Sequence, residues 1–217
     1  MTRKSDQEWF ITGANNGLGA AKEDLDRGHE VVATARNPES AHSAKTGAGS
    51  TKVLIVYYSL TGNTRSIAEM IREKTGGEGF EIETVKNYPA DYSECTKEAK
   101  RELQTGDLPA LKKSPPDMSS YDLILVGSPI WWYTLSTPVM SLLTQADFAG
   151  KKVAAFCTHE GGIGKYFQHF KEQAEDAVVL EGLDLYKPRQ AEKSELNKAV
   201  DSWLSKLRGE KDGALTL

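Results

Sequence analysis

The chain has 217 residues, a net charge of −4 and an isoelectric point near 5.7, so it lacks the basic footprint of a nucleic-acid binder, and no apolar stretch approaches the roughly 20 residues that cross a bilayer. Hydrophobic residues make up 39 % of it, enough for one ordinary domain with an appendage. Cys95 and Cys157 lie far apart and fit no ligand spacing, so no disulfide framework or zinc site is expected.

The start, Met-Thr-Arg-Lys-Ser-Asp-Gln-Glu, has no apolar core behind its charges. No signal peptide is expected there, and the chain reads as a soluble cytoplasmic protein. Residues 40–51 are small and polar and read as a flexible linker. The expected organisation is a segment over 1–48, a domain over 52–208 and a tail over 209–217.

Within the domain the pattern alternates. Lys52–Tyr58 contains Val-Leu-Ile-Val-Tyr-Tyr, a continuous apolar run of the kind buried on both faces of a parallel sheet. Thr64–Thr75 has Ile67, Ala68 and Ile71 at helical spacing. Glu81–Val85 alternates and predicts a second strand; Ser93–Leu103 predicts a helix; Gly106–Ser119, rich in Pro and Lys, predicts a loop. Tyr121–Gly127 is a third strand, and a helix is expected near Thr137–Gln145, with Pro138 tolerated in its first turn. Lys152–Cys157 and Val178–Leu180 predict two more strands, with a helix over Tyr166–Glu175 between them. Ser194–Leu207 closes as an amphipathic helix. The whole predicts an α/β fold: a doubly wound, five-stranded parallel sheet with helices on both faces. Ligands in such sheets bind beyond the carboxyl ends of the strands, so the residues just after strands are the informative ones.

Ser59-Leu60-Thr61-Gly62-Asn63-Thr64 follows the first strand and opens a helix, which makes it a candidate anion site. Ser59, Thr61 and Thr64 bring hydroxyl donors, Gly62 lets the backbone curl, and Asn63 tolerates unusual dihedrals. No Lys or Arg occurs before Arg65, and the Gly-Lys-Ser/Thr ending of a Walker loop is missing. Gly127-Ser128-Pro129-Ile130-Trp131-Trp132-Tyr133-Thr134 follows the third strand, and its aromatics are suited to wall a flat ring. Thr158-His159-Glu160-Gly161-Gly162-Ile163-Gly164 follows the fourth, with three glycines that permit close backbone approach. His159 reads either as a solvated loop residue or as a group near a ligand.

With three loops in this order, residues 52–208 resemble flavodoxin-like FMN-binding proteins. The resemblance implies a flavodoxin-like fold with FMN as cofactor. It assigns the phosphate to Ser59, Thr61, Gly62, Asn63 and Thr64, one side of the flavin to Pro129, Ile130, Trp131 and Trp132, and a third loop to Thr158, Gly161, Gly162 and Gly164. It leaves open which Trp stacks on the ring. It implies electron transfer through FMN to a redox partner protein or a small-molecule acceptor, with no nucleic acid, membrane or metal involved. An alternative is an NAD(P)H-dependent quinone-type oxidoreductase with NADPH as transient donor; a flavin-free binding module is a third. In flavodoxins the one-electron state relies on a peptide flip in the second loop. Residues 129–134 contain no Gly, so positive φ is not expected there.

Trp9-Phe10-Ile11-Thr12-Gly13-Ala14-Asn15-Asn16-Gly17-Leu18-Gly19, followed by Glu30–Arg36, resembles the opening strand-helix-strand of short-chain dehydrogenases. The resemblance ends near residue 40, and no Tyr-x-x-x-Lys pair occurs in the chain. The segment therefore reads as a truncated remnant of a dinucleotide-binding unit.

Overall fold

Two short strands, β1 (Trp9–Ile11) and β2 (Val31–Ala33), pair in parallel with Trp9 opposite Val31 and Ile11 opposite Ala33. They belong to the first of two units, residues 1–48 and 49–217. The computed structural model describes residues 9–11, 31–33 and 51–209. The glycine loop and helix expected over 12–27, the linker and the tail beyond residue 209 lie outside the described residues.

In the second unit the run at 53–57 becomes β3 (Val53–Tyr57), every residue of it buried. Helix α1 (Asn63–Thr75) follows and ends on Gly76, whose φ of 67° lets its N–H donate to Arg72 O. Strand β4 (Glu78–Glu81) lies earlier than the predicted Glu81–Val85. The alternation seen there continues past the sheet, where Thr84 makes only an isolated antiparallel bridge to Leu111. Helix α2 (Tyr92–Thr105) starts on Asp91, whose side chain accepts the Glu94 N–H. After a loop and one 3-10 turn come β5 (Leu123–Trp131), β6 (Thr134–Leu135) and α3 (Thr137–Leu143). Strand β7 (Lys152–His159), α4 (Tyr166–Gln173), β8 (Val178–Val179), β9 (Leu183–Tyr186) and α5 (Lys193–Gly209) complete the unit.

The sheet runs β4-β3-β5-β7, with β8 and β9 both paired in parallel to β7. β8 meets Lys152 and Val153, and β9 meets Phe156–His159. Together they fill the fifth strand position in two pieces, the second of which the sequence pattern had not suggested. The short β6 pairs antiparallel with the end of β5 as a hairpin. Alternate residues of each strand feed two cores. On one face Ile55, Leu125 and Phe156 pack with Ile67 and Ile71 of α1 and Trp203 and Leu207 of α5. On the other Leu54, Val126 and Cys157 pack with Leu142 of α3 and Tyr166 and Phe170 of α4. This is the doubly wound α/β arrangement that the alternation implies. Among the described residues no helix is long and apolar enough to cross a membrane.

At the sheet's centre Gly127 of β5 sits against the Phe156 ring, where an added Cβ would come within 2.2 Å of Cζ. Phe156 is fully buried and meets Trp203 edge-on, so it has little room to retreat. Gly127→Ala is expected to lower stability by about 1–3 kcal/mol through overpacking. Chemical denaturation of the variant beside wild type measures this; equal midpoints would contradict it.

Candidate functional site

The segments that follow β3, β5 and β7 meet at one edge of the sheet. Between them and α2 lies a cleft of about 1130 Å³. It stands beyond the carboxyl ends of the parallel strands, as the fold requires of a ligand site.

The first loop turns on Gly62, whose φ is 92° and whose N–H donates to Ser59 Oγ at 3.2 Å. Among the described residues no side chain caps α1. Its first-turn N–H groups are therefore left for a ligand or water, at the positive end of the helix dipole. Asn63 Oδ1 is buried and has no hydrogen-bond partner among the described residues. A half-turn of that amide presents two N–H donors in its place, which suits an anion. Thr64 and Thr158, both buried, share a hydrogen bond of 2.9 Å between their hydroxyls and join the first loop to the third. Arg65 takes no part: its guanidinium is held by Glu81, with Nε 3.1 Å from a carboxylate oxygen.

The second loop departs from expectation. Ile130 pairs with Leu135 and Trp131 with Thr134, leaving Trp132 and Tyr133 as a two-residue turn with φ of 49° and 63°. Positive φ at both positions defines a type I′ hairpin, where Asn-Gly is the usual choice. For bulky residues this backbone costs about 1–2 kcal/mol each. Identifiable contacts offset it. The Trp132 indole N–H donates to Thr96 O at 3.1 Å, and Lys100 Nζ lies 4.8 Å from the ring centroid. The Lys165 N–H donates to Tyr133 O at 2.9 Å.

Trp131 turns inward and meets Tyr88 and Tyr58 edge-on at 4.9 and 5.6 Å. Tyr88 is fixed in turn, since its hydroxyl donates to the buried Glu102 carboxylate at 2.7 Å, beside a second donor, Thr137, at 2.6 Å. Burial pushes the Tyr88 phenol far above its ordinary value, so it keeps its proton and remains a donor.

The third loop corrects the reading of His159 as a solvated residue. Its side chain is only 6 % exposed, with Nε2 2.5 Å from Asp184 Oδ1 and Nδ1 facing Gly161 O.

The sequence profile of the flavodoxin family matches residues 52–206. The chain belongs to the flavodoxin family. It is similar to a flavoprotein from Lactobacillus acidophilus NCFM, whose crystal structure is a complex with FMN: 31 % identity, TM-score 0.60, covering 71 % of this chain and 99 % of that one. It is 27 % identical over 118 residues to flavodoxin 1 of Escherichia coli, covering 52 % of this chain and 53 % of that protein. A NAD(P)H dehydrogenase (quinone) of Gluconacetobacter diazotrophicus is 27 % identical over 144 residues, covering 61 % of this chain and 71 % of that protein. The chain thus spans about half the length of the flavodoxins it matches.

In this flavodoxin-family cleft, Ser59, Thr61, Asn63, Thr64, Pro129, Ile130, Trp131, Trp132, Thr158, Gly161 and Gly162 all form part of the lining. Gly62 and Gly164 do not. Gly62 shapes the first turn from behind. Gly164 has φ 55° and packs against the backbone of Tyr133, where a Cβ would come within 2.4 Å of the Tyr133 oxygen. It locks two loops together instead of admitting a ligand. The sequence reading missed the wall built by Tyr88, Pro89 and Ala90 and by Tyr92, Cys95, Thr96 and Ala99 of α2. The loop before Asp91, itself a recognisable N-cap, leaves the same sheet edge and was the available signal. Arg189 was also missed; it lies just past the unforeseen β9.

Because Tyr133 is exposed and strained, Tyr133→Gly is expected to raise stability by about 1 kcal/mol, removing the left-handed penalty while keeping the Lys165 hydrogen bond. A thermal melt of the variant decides it; a lower midpoint would show that the ring's contacts outweigh the strain.

Proposed function

We propose that the chain binds FMN in this cleft and works as a redox protein through it. The observation that carries the reading is the uncapped start of α1 with the buried, unpartnered Asn63 Oδ1 beside it. That is a polar cradle lacking a partner, next to a cleft walled by aromatics. The fit is good on each side. The free amides of α1 with Ser59, Thr61, Asn63 and Thr64 would hold a phosphate monoester, and Gly62 gives the loop its curl. Pro129, Ile130, Trp131 and Trp132 would flank the flat ring. Thr158, Gly161 and Gly162 would close the third side, with Gly164 holding that loop in place. Bound there, FMN would supply a carrier of one or two electrons. The Lactobacillus acidophilus flavoprotein, solved with FMN, supports the same reading. The purified chain is expected to be yellow and to release FMN, not FAD. The double substitution Thr61→Ala with Asn63→Ala is expected to weaken FMN binding by about 1.5–3 kcal/mol for each charge-assisted bond lost. Wild-type affinity in the double variant would refute the phosphate assignment.

A second reading has the flavin accept hydride from NAD(P)H and pass it to quinones. At about 1130 Å³ the cleft exceeds the usual span of a single-ligand site, which leaves room for a nicotinamide or quinone ring beside one flavin. The Gluconacetobacter diazotrophicus relative is named for that reaction. The second-loop turn also bears on this choice. Trp132 and Tyr133 already hold positive φ, and Tyr133 O is occupied by the Lys165 N–H at 2.9 Å. Turning this peptide would break that bond. Anaerobic dithionite titration of the FMN-loaded chain is therefore expected to run from oxidised to reduced without a long-wavelength band midway. A strong band there would favour a one-electron carrier between protein partners.

Residues 9–40 belong to this proposal as a remnant of a dinucleotide-binding unit. The parallel pairing of β1 with β2 supports it, being the strand pairing of one strand-helix-strand turn. A cytoplasmic setting fits the two free thiols, Cys95 and Cys157.

A further inference from the structure

The turn after β9 crosses the sheet edge and grips both outer loops of the cleft. The Lys187 N–H donates to His159 O at 2.7 Å, and the Gln190 N–H closes the turn on Lys187 O at 2.9 Å. Lys187 takes a φ of 44° to make the bend, and Pro188 is buried beneath it. The turn delivers Arg189 to the mouth of the cleft, where its Nη2 donates to the Thr61 carbonyl, 128 residues away in sequence.

Charge makes this placement significant. Arg189 is the one Lys or Arg among the described residues that line the cleft. Arg65, nearer in sequence, is taken by Glu81. Among the described residues no carboxylate pairs with Arg189; its hydrogen bond is to the neutral Thr61 carbonyl. A guanidinium has five N–H donors, so most of the fork remains available beside the free amides of α1. A phosphate monoester carries about −1.5 to −2 charges at neutral pH, whereas a helix start offers only about half a positive charge. The neutral donors of the first loop leave much of that charge uncompensated.

We propose that Arg189 is the charged ligand of the phosphate in this site, reaching it from the β9 turn while the Thr61 carbonyl fixes the guanidinium's orientation. The inference rests on the FMN reading above and adds to it a phosphate-selective residue from outside the three loops. It also makes the turn after β9 a fourth loop of the site.

The test compares FMN with riboflavin, which lacks the phosphate. Full-length wild type and Arg189→Ala are stripped of flavin and titrated with each by fluorescence quenching, at low and at high salt. Arg189→Ala is expected to lose on the order of tenfold in FMN affinity at low salt. The loss should shrink at high salt, because an exposed charge is screened. Riboflavin affinity should stay within about twofold of wild type. Equal losses for both flavins would mean that Arg189 merely props the Thr61 loop and would overturn the proposal, as would unchanged FMN affinity. Wild type that bound neither flavin would instead overturn the FMN reading itself.

Discussion

A parallel sheet buried on both faces has room for polar side chains only at its ends, and the rest of this structure follows from that. Through β3, β5 and β7 the interior is Val, Leu, Ile, Ala and Phe, with Gly127 and Cys157 among them. Buried hydroxyls begin toward the carboxyl ends of the strands, at Ser128 of β5 and Thr158 of β7. Ser128 pairs with Ser136 at 2.9 Å, and Thr64 with Thr158 at 2.9 Å. Both bonds are buried, and an unpaired hydroxyl there would cost about 1–3 kcal/mol. They act as rivets: one closes the hairpin of the second loop, and the other ties the first loop to the third. The cleft is the space these rivets leave, which is why its walls come from segments far apart in sequence.

The fold was legible because its signals are local. The apolar run Val53–Tyr57 reads as a strand buried on both sides, and the helix expected over Ser93–Leu103 lies within α2. Misreadings arose where one pattern had two meanings. Glu81–Val85 alternates like a strand, yet only Glu81 belongs to β4; Ile82 is buried beyond it and Thr84 bridges elsewhere. Leu183–Tyr186 alternates buried with exposed, a true edge strand, but so short and so close to β8 that nothing local separates it from a loop.

The candidate site was legible in its three loops and less so elsewhere, for a related reason. The loops after β3, β5 and β7 declare themselves by following apolar runs. The α2 wall and Arg189 arrive only through tertiary placement. Sequence also misjudged the second loop. Bulky residues argue against positive φ, but a two-residue hairpin at the end of β5 demands it, and Trp132 and Tyr133 comply. The handedness of the hairpin overrides the preference of the residues, and contacts from α2 and from the segment before α4 hold the turn.

That strained turn gives the site its rigidity. Trp132 is pinned to α2 through Thr96, and Tyr133 to the third loop through Lys165 and Gly164. Trp131, just before them, is wedged against Tyr58 and Tyr88, and Tyr88 is fixed by the buried Glu102. Among the described residues Glu102 has no basic partner, a costly burial for a carboxylate unless it is hydrogen-bonded, and here two hydroxyls donate to its Oε2. Removing Glu102 would leave the Tyr88 hydroxyl only its contact with Thr137 Oγ1 at 2.9 Å and so loosen the edge contact that positions Trp131. The aromatic wall is thus held from behind by polar groups and from the front by a strained hairpin. A flat ligand would meet a surface already in place and lose less conformational entropy on binding than one that had to order its own pocket.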